Sequence, residues 1–205
     1  MNCQDSYIFL QRQERWGKPP NMAFSMFSSD KQFIAKMSVD NQWWNVFHPC
    51  LVVKCLEVET ETVTIKSIAT DSHDNPPSVD LWDATGNQIA MATLWKSSFW
   101  NINIFLIQTH MAMYDSPKRD YWIKGWPFCN SRNIFNQDGK KVMDIKRMPI
   151  RRLPSEISNV KKEFPKAITY KVESDVQYAT DNLRLIILWA TIVAVGYSMR
   201  PDGGN

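Results

Sequence analysis

The stretch Leu183-Arg184-Leu185-Ile186-Ile187-Leu188-Trp189-Ala190-Thr191-Ile192-Val193-Ala194-Val195-Gly196-Tyr197-Ser198-Met199 decides how the rest of the chain is read, because Arg184 is its only charge and no face of it is polar. A helix that is apolar all round is buried in protein or lies in lipid. From Leu185 to Met199 the uncharged run is 15 residues, roughly 22 Å of helix at about 1.5 Å per residue. A bilayer span wants about 20 apolar residues, so length favours a protein interior over an anchor. The flanks are those of a folded helix: Thr180 and Asp181 can cap its start, Arg200 suits its C-terminal dipole, and Pro201 with Gly203-Gly204 ends it. A helix over about 181–199 is expected, with 201–205 as a disordered tail.

Working outward, short apolar runs follow one another from the N-terminus: Tyr7–Leu10, Met22–Phe27, Phe33–Val39, Leu51–Val58, Thr62–Ala69 and Val79–Trp82. Polar breaks part them, at Arg15–Asn21 with Pro19-Pro20, at Asp40-Asn41-Gln42, and at Thr70–Ser78 with Pro76-Pro77. Further on, Ile89, Met91, Thr93 and Trp95 alternate with Ala90, Ala92 and Leu94, and Trp100–Leu106 alternates likewise, which is the period of a strand. Tyr121–Trp126, Ser131–Phe135, Lys140–Arg147 and Ile168–Val172 complete a set of about eleven strands. Asp83-Ala84-Thr85-Gly86 and Asn136-Gln137-Asp138-Gly139 read as hairpin turns, each placing glycine where a positive φ is wanted.

Many antiparallel strands and one wholly apolar helix have a natural packing solution. A barrel of eleven or twelve strands is wide enough to hold a helix of about 10 Å diameter along its axis. The expected fold is therefore mainly β, a closed antiparallel barrel of about twelve strands around a central hydrophobic C-terminal helix, as one domain over 1–200.

The composition excludes several functions. In 205 residues, 44% are hydrophobic, with nine tryptophans and ten phenylalanines, enough for a thick core. The net charge of +3, from 24 basic and 21 acidic residues, is too mild to imply nucleic acid, which is not expected as a partner. Four cysteines in a chain of this length, no glycosylation sequon, and a start at Met1–Ile8 without a basic or long apolar segment favour a reduced, intracellular compartment. The expected setting is the cytoplasmic face of a membrane or an organelle such as the mitochondrion.

No reactive constellation stands out, so neither an enzyme nor a cofactor is expected. His48, Cys50 and Cys55, with Cys129, lack the paired spacing of a zinc site, and no metal is assigned. No Gly-x-Ser-x-Gly occurs, and His73 and His110 have no evident partner. The alternating Glu57, Glu59 and Glu61 read as a solvated strand face.

The charge that stands out is basic. Between Lys140 and Lys171 ten basic residues face three acidic ones, a net +7. Lys140, Lys141, Lys146, Arg147, Arg151, Arg152, Lys161 and Lys162 are candidates for binding anionic phospholipid or phosphoinositide, an acidic partner, or water alone. The aromatics Trp43, Trp44, Trp126 and Phe128 are candidates for gripping protein partners, which would make the chain an accessory subunit of a large protein assembly, one of a mitochondrial or other organellar membrane included, with 183–199 as core helix or anchor.

Three segments together also carry a resemblance. Leu81–Ala90, Tyr121–Trp126 and Phe135–Arg147, followed by Tyr170-Lys171-Val172-Glu173, Val176 and Asp181 running into the apolar helix, resemble the LURP-one-related group of the tubby C-terminal-like superfamily. The likeness covers roughly 79–199 and lies in the order of the motifs. It implies a twelve-stranded barrel around a C-terminal helix, and kinship with phosphoinositide-binding tubby proteins and phospholipid scramblases. Pro149, Pro154 and Pro165, in the region after Arg147, depart from the pattern.

Overall fold

The computed structural model describes residues 3–15, 18–43, 51–54, 56–58, 61–68, 78–83, 85–96, 103–108, 120–125 and 132–198. Within them the protein is mainly β, with two α-helices. The strands of the first half are β1 (Cys3–Arg15), β2 (Lys18–Ser28), β3 (Phe33–Trp43), β4 (Leu51–Lys54), β5 (Leu56–Val58), β6 (Glu61–Ile68) and β7 (Ser78–Trp82). The second half adds β8 (Gln88–Lys96), β9 (Asn103–Gln108), β10 (Tyr121–Gly125), β11 (Arg132–Asn136), β12 (Lys141–Met148) and β13 (Ile168–Asp175). Helix α1 (Ser155–Glu163) lies between β12 and β13, and α2 (Ala179–Ser198) follows β13.

All thirteen strands join one antiparallel sheet in the order β4-β3-β2-β1-β13-β12-β11-β10-β9-β8-β7-β6-β5. Almost every neighbour in space is a neighbour in sequence; the exception is β1, which pairs with β13 and so joins the first strand to the last, Cys3 opposite Asp175 and Leu10 opposite Ile168. One face of the sheet covers α2. Leu185 to Ile187, Leu188, Trp189, Ala190, Thr191, Ile192 and Val193 are all buried, and the helix touches β2, β3, β7, β8 and β13. The Trp189 ring meets Tyr170 of β13 edge-on at 4.9 Å and Phe24 of β2 at 6.3 Å. Where β8 faces this helix the inward residues are Ala90 and Ala92, both wholly buried, so the alternation there puts its small side chains inward and leaves room for the helix.

Helix α1 covers the opposite face. Tyr7 and Phe9 point outward into a second cluster with Ile157, Val160 and Ala167, whereas Ile8 and Leu10 point inward to the main core. This is why Tyr7–Leu10 is a continuous apolar run: β1 is covered on both sides. Phe9 stacks on Phe164, just past α1, with centroids 5.4 Å apart. The sequence reading missed α1, whose start and end are marked only by Pro154 and Pro165 around a short charged segment.

Two of the expected breaks are not loops. The β1–β2 connection closes with Arg15 opposite Lys18, and Pro19 and Pro20 fall inside β2 at a register irregularity, where a residue without an N–H costs the ladder least. Asp40-Asn41-Gln42 lies in β3 and pairs with β4 from Lys54 back to Val52.

Three hairpins share one design. In the β7–β8 and β11–β12 turns the expected glycines have positive φ, +86° at Gly86 and +75° at Gly139. The β2–β3 turn repeats the same hydrogen bonds without a glycine: Lys31 N–H donates to the Ser28 carbonyl at 3.1 Å and Ser28 N–H to the Gln32 carbonyl at 2.9 Å, with Lys31 at φ +70°. Each turn is followed by a bulge that leaves one residue unpaired, Ile34, Ile89 or Val142, all of which pack on the main core. Phe27–Ala35, Trp82–Ala90 and Phe135–Met143 are thus three versions of one unit.

Candidate functional site

The ten basic residues of 140–171 do not act alike once they are placed. On the outward face of β1, β13 and β12 the cross-strand register forms an acidic row, Asp5, Glu173 and Asp144, beside a basic row containing Lys171 and Lys146. The Lys171 ammonium lies 2.8 Å from Asp5 and 2.7 Å from Glu173, and the Asp144 carboxylate accepts Lys146 at 2.7 Å and Lys141 at 2.8 Å. Burial works against the charge of Asp144, yet the two ammonium groups outweigh it and hold the carboxyl below its ordinary value. Lys140 pairs with Asp175 at 3.0 Å and lies 6.0 Å over the Tyr178 ring. These lysines are neutralised inside the sheet surface and offer little net charge to a ligand.

Lys161 corrects the sequence reading outright. It is 5% exposed, and its ammonium donates to the carbonyls of Phe164 at 2.6 Å, Pro165 at 3.2 Å and Ala167 at 2.6 Å. A helix C-terminus leaves carbonyls without partners, and this side chain folds back to satisfy those just beyond α1, so it is no part of a solvent-facing patch. Burial pushes its ammonium below the ordinary lysine value. Lys162 is exposed and donates to Asn159 Oδ1 at 3.0 Å.

What Lys161 ties down is one wall of a groove of about 590 Å³. The other wall is the end of β12 with Pro149 and Ile150, the first residue of the 3-10 turn Ile150–Arg152, and Thr169 of β13 also lines it. Arg147 stands on one side and Lys166 on the other, with Pro149 and Pro165 stiffening both rims. Arg151 and Arg152 are exposed next to it, in the last turn of that 3-10 segment. Of the candidate residues, Arg147 lines the groove together with Lys166, and Arg151 and Arg152 follow Ile150 of its lining in the chain. Ile150 was not anticipated as part of a site. It is 64% exposed, more than any other large hydrophobic residue described. Its only signal in the sequence is its position in Pro149-Ile150-Arg151-Arg152-Leu153-Pro154, an aliphatic side chain between prolines and cations.

The aromatic candidates cannot be placed in the same way. Trp44, Trp126 and Phe128 lie outside the described residues, as do His48, Cys50, Cys55 and Cys129; Trp43 ends β3. Among the described residues no group of three His, Cys, Asp or Glu side chains is placed to hold a metal ion. No helix among them is long and apolar enough to cross a membrane, α2 included.

A second polar cluster is structural. Asp181, expected as a cap, lies in the first turn of α2 and is buried, where its carboxylate accepts the Tyr121 hydroxyl at 2.7 Å; Asn136 Nδ2 donates to the Tyr178 hydroxyl at 2.9 Å. Burial first, and the Asp181 charge with it, push the Tyr121 hydroxyl well above its ordinary value, so it remains a donor. The cluster pins α2 to β10 and to the β11–β12 turn.

No family model, no curated protein and no solved structure matches this chain.

Proposed function

We propose that the chain is a non-enzymatic binding module of the tubby-like, LURP-one-related kind, whose sheet closes around α2 and which docks on anionic phospholipid at a membrane surface. Two facts support the closed wall. The strands that α2 touches, β3 and β7, stand far apart in the sheet order, about 40 Å if the sheet were flat at roughly 4.8 Å per strand, against a helix about 10 Å across. That span supports a sheet that curls around the helix. Its two outer strands, β4 and β5, are also consecutive in the chain, one residue apart.

The observation that carries the docking is the sorting of charge. Lysines over the sheet are cancelled by Asp5, Asp144, Glu173 and Asp175, while Lys166 lines one groove and the exposed Arg151 and Arg152 directly follow Ile150 of its lining. Each cation near an anionic leaflet adds about 1 kcal/mol. Reversing Arg151 and Arg152 together to Glu removes two, so sedimentation with phosphatidylserine vesicles at low salt is expected to weaken by at least about thirtyfold. Both side chains are exposed, so thermal stability stays as in the parent. Undiminished sedimentation of the double variant removes the lipid role from this face.

A further inference from the structure

We infer that Ile150 is a membrane-inserting residue: the 3-10 turn Ile150–Arg152 presents one aliphatic side chain past a collar of cations, to enter the acyl region while those cations hold the phosphate layer. The inference rests on the docking just proposed and deepens it. A lone exposed aliphatic is ordinary on a protein surface; the setting of Ile150 is what differs. Arg151 and Arg152 follow it directly and Arg147 and Lys166 share its groove, so the most exposed large apolar side chain among the described residues stands beside four basic ones.

The turn is also rigid. Arg152 N–H donates to the Pro149 carbonyl at 2.9 Å and Leu153 N–H to the Ile150 carbonyl at 3.1 Å. Pro149 and Pro154 bracket it, and Leu153 is drawn into the cluster under α1. Ile150 is therefore held outward with little chain entropy left to lose on burial. A protein partner would be met by a broader apolar core with aromatic anchors, whereas one aliphatic beside several cations matches a bilayer, with charge outside and hydrocarbon beneath.

Two variants test this on the full chain with vesicles of phosphatidylcholine and phosphatidylserine. Ile150→Ser keeps every charge and is expected to bind about five- to tenfold more weakly, since the apolar share of binding scales with the area buried. That loss should persist at high salt, where the contribution of the arginines fades. Ile150→Trp is expected to bind at least as well as the parent and, in vesicles of brominated lipid, to gain fluorescence quenching above the parent level. Equal binding of Ile150→Ser and the parent, or a bound Ile150→Trp with no added quenching, overturns the insertion and leaves the electrostatic docking intact. If the parent itself fails to sediment at low salt, docking and insertion fall together.

Discussion

Asp144 shows how one buried carboxylate changes the meaning of a basic segment. Counted along the chain it is one of three acids among ten bases, but in the sheet it sits beneath Lys141 and Lys146 and in a row with Asp5 and Glu173. Its carboxyl is held below the ordinary value, so the folded state binds its proton more weakly than the unfolded chain does. The stabilisation is then fully present above the unfolded value near pH 4, and is lost as pH falls through the lower folded value. Its partners are about half exposed, with side-chain exposures of 49% and 58%, so the ion pairs are worth about 1 kcal/mol together. Asp144→Asn is accordingly expected to lower the stability measured by urea unfolding by about that much at pH 7, with the gap to the parent closing as pH falls below the unfolded value near 4 and through the lower folded one. A gap that stays constant from pH 7 down to acid unfolding would mean that the pairs with Lys141 and Lys146 contribute nothing.

The hairpin unit is where sequence reading succeeded twice and failed once, for a single physical reason. Gly86 and Gly139 announced their turns because glycine is the residue that enters the left-handed region without strain. In both, an Asx side chain completes the turn: Asp83 Oδ1 accepts the N–H groups of Thr85 at 2.9 Å and Asn87 at 2.8 Å, and Asn136 Oδ1 those of Asp138 at 3.1 Å and Lys140 at 2.9 Å. The Asp83 carboxyl, caged by the Thr85 hydroxyl and these N–H groups, is pulled down to about 2. The β2–β3 turn has Ser28 in the Asx place, its hydroxyl accepting the Gln32 N–H at 3.0 Å, and Lys31 in the glycine place. Without glycine it carried no turn signal, so the third copy of the unit was not recognised. Lys31→Gly is expected to stabilise the protein by up to about 1 kcal/mol, and Gly86→Ala or Gly139→Ala to destabilise it by about the same. Nothing stands within 4 Å of a β-carbon at either glycine, so the cost there is conformational alone. Thermal unfolding of the three variants checks the set, and a destabilised Lys31→Gly would show that the lysine side chain does more than occupy the turn. The same logic explains the rest of what was and was not legible. Strand periodicity and the apolar run before Met199 gave the mainly β class and α2, because burial writes itself into hydrophobic pattern. Helix α1 and the groove escaped, because nine residues rich in charge carry a weak period and because which lysines are cancelled depends on register across β1, β13 and β12.

At the scale of the whole molecule the question is what happens where the sheet order ends. Leu51-Val52-Val53-Lys54-Cys55-Leu56-Glu57-Val58 reads as one strand in the sequence, yet its first part pairs with β3, Trp43 opposite Leu51 and Asp40 opposite Lys54, and its last part with β6, Leu56 opposite Val63 and Val58 opposite Glu61. The two outermost strands of the sheet are thus two pieces of one segment, shared between its opposite ends. In addition β4 lies beside β6, and β5 beside β3. If the wall is closed, this segment is the seam, and the backbone groups that each piece turns away from its ladder partner are met from the other side. Successive residues of a strand direct their N–H groups to opposite neighbours, so an open edge and a seam differ in every second amide. Hydrogen exchange followed residue by residue should therefore find both alternating sets of amides in β4 and β5 slowed, by at least about a hundredfold, equivalent to roughly 3 kcal/mol of local opening. An open sheet would protect one set and leave the other exchanging at nearly the unstructured rate. The distinction bears on function through α2: only a closed wall keeps Trp189 and its apolar neighbours from lipid when the basic groove is pressed against a bilayer. A fast-exchanging alternate set would take away the barrel and, with it, the reason to read the final helix as core when the protein is bound.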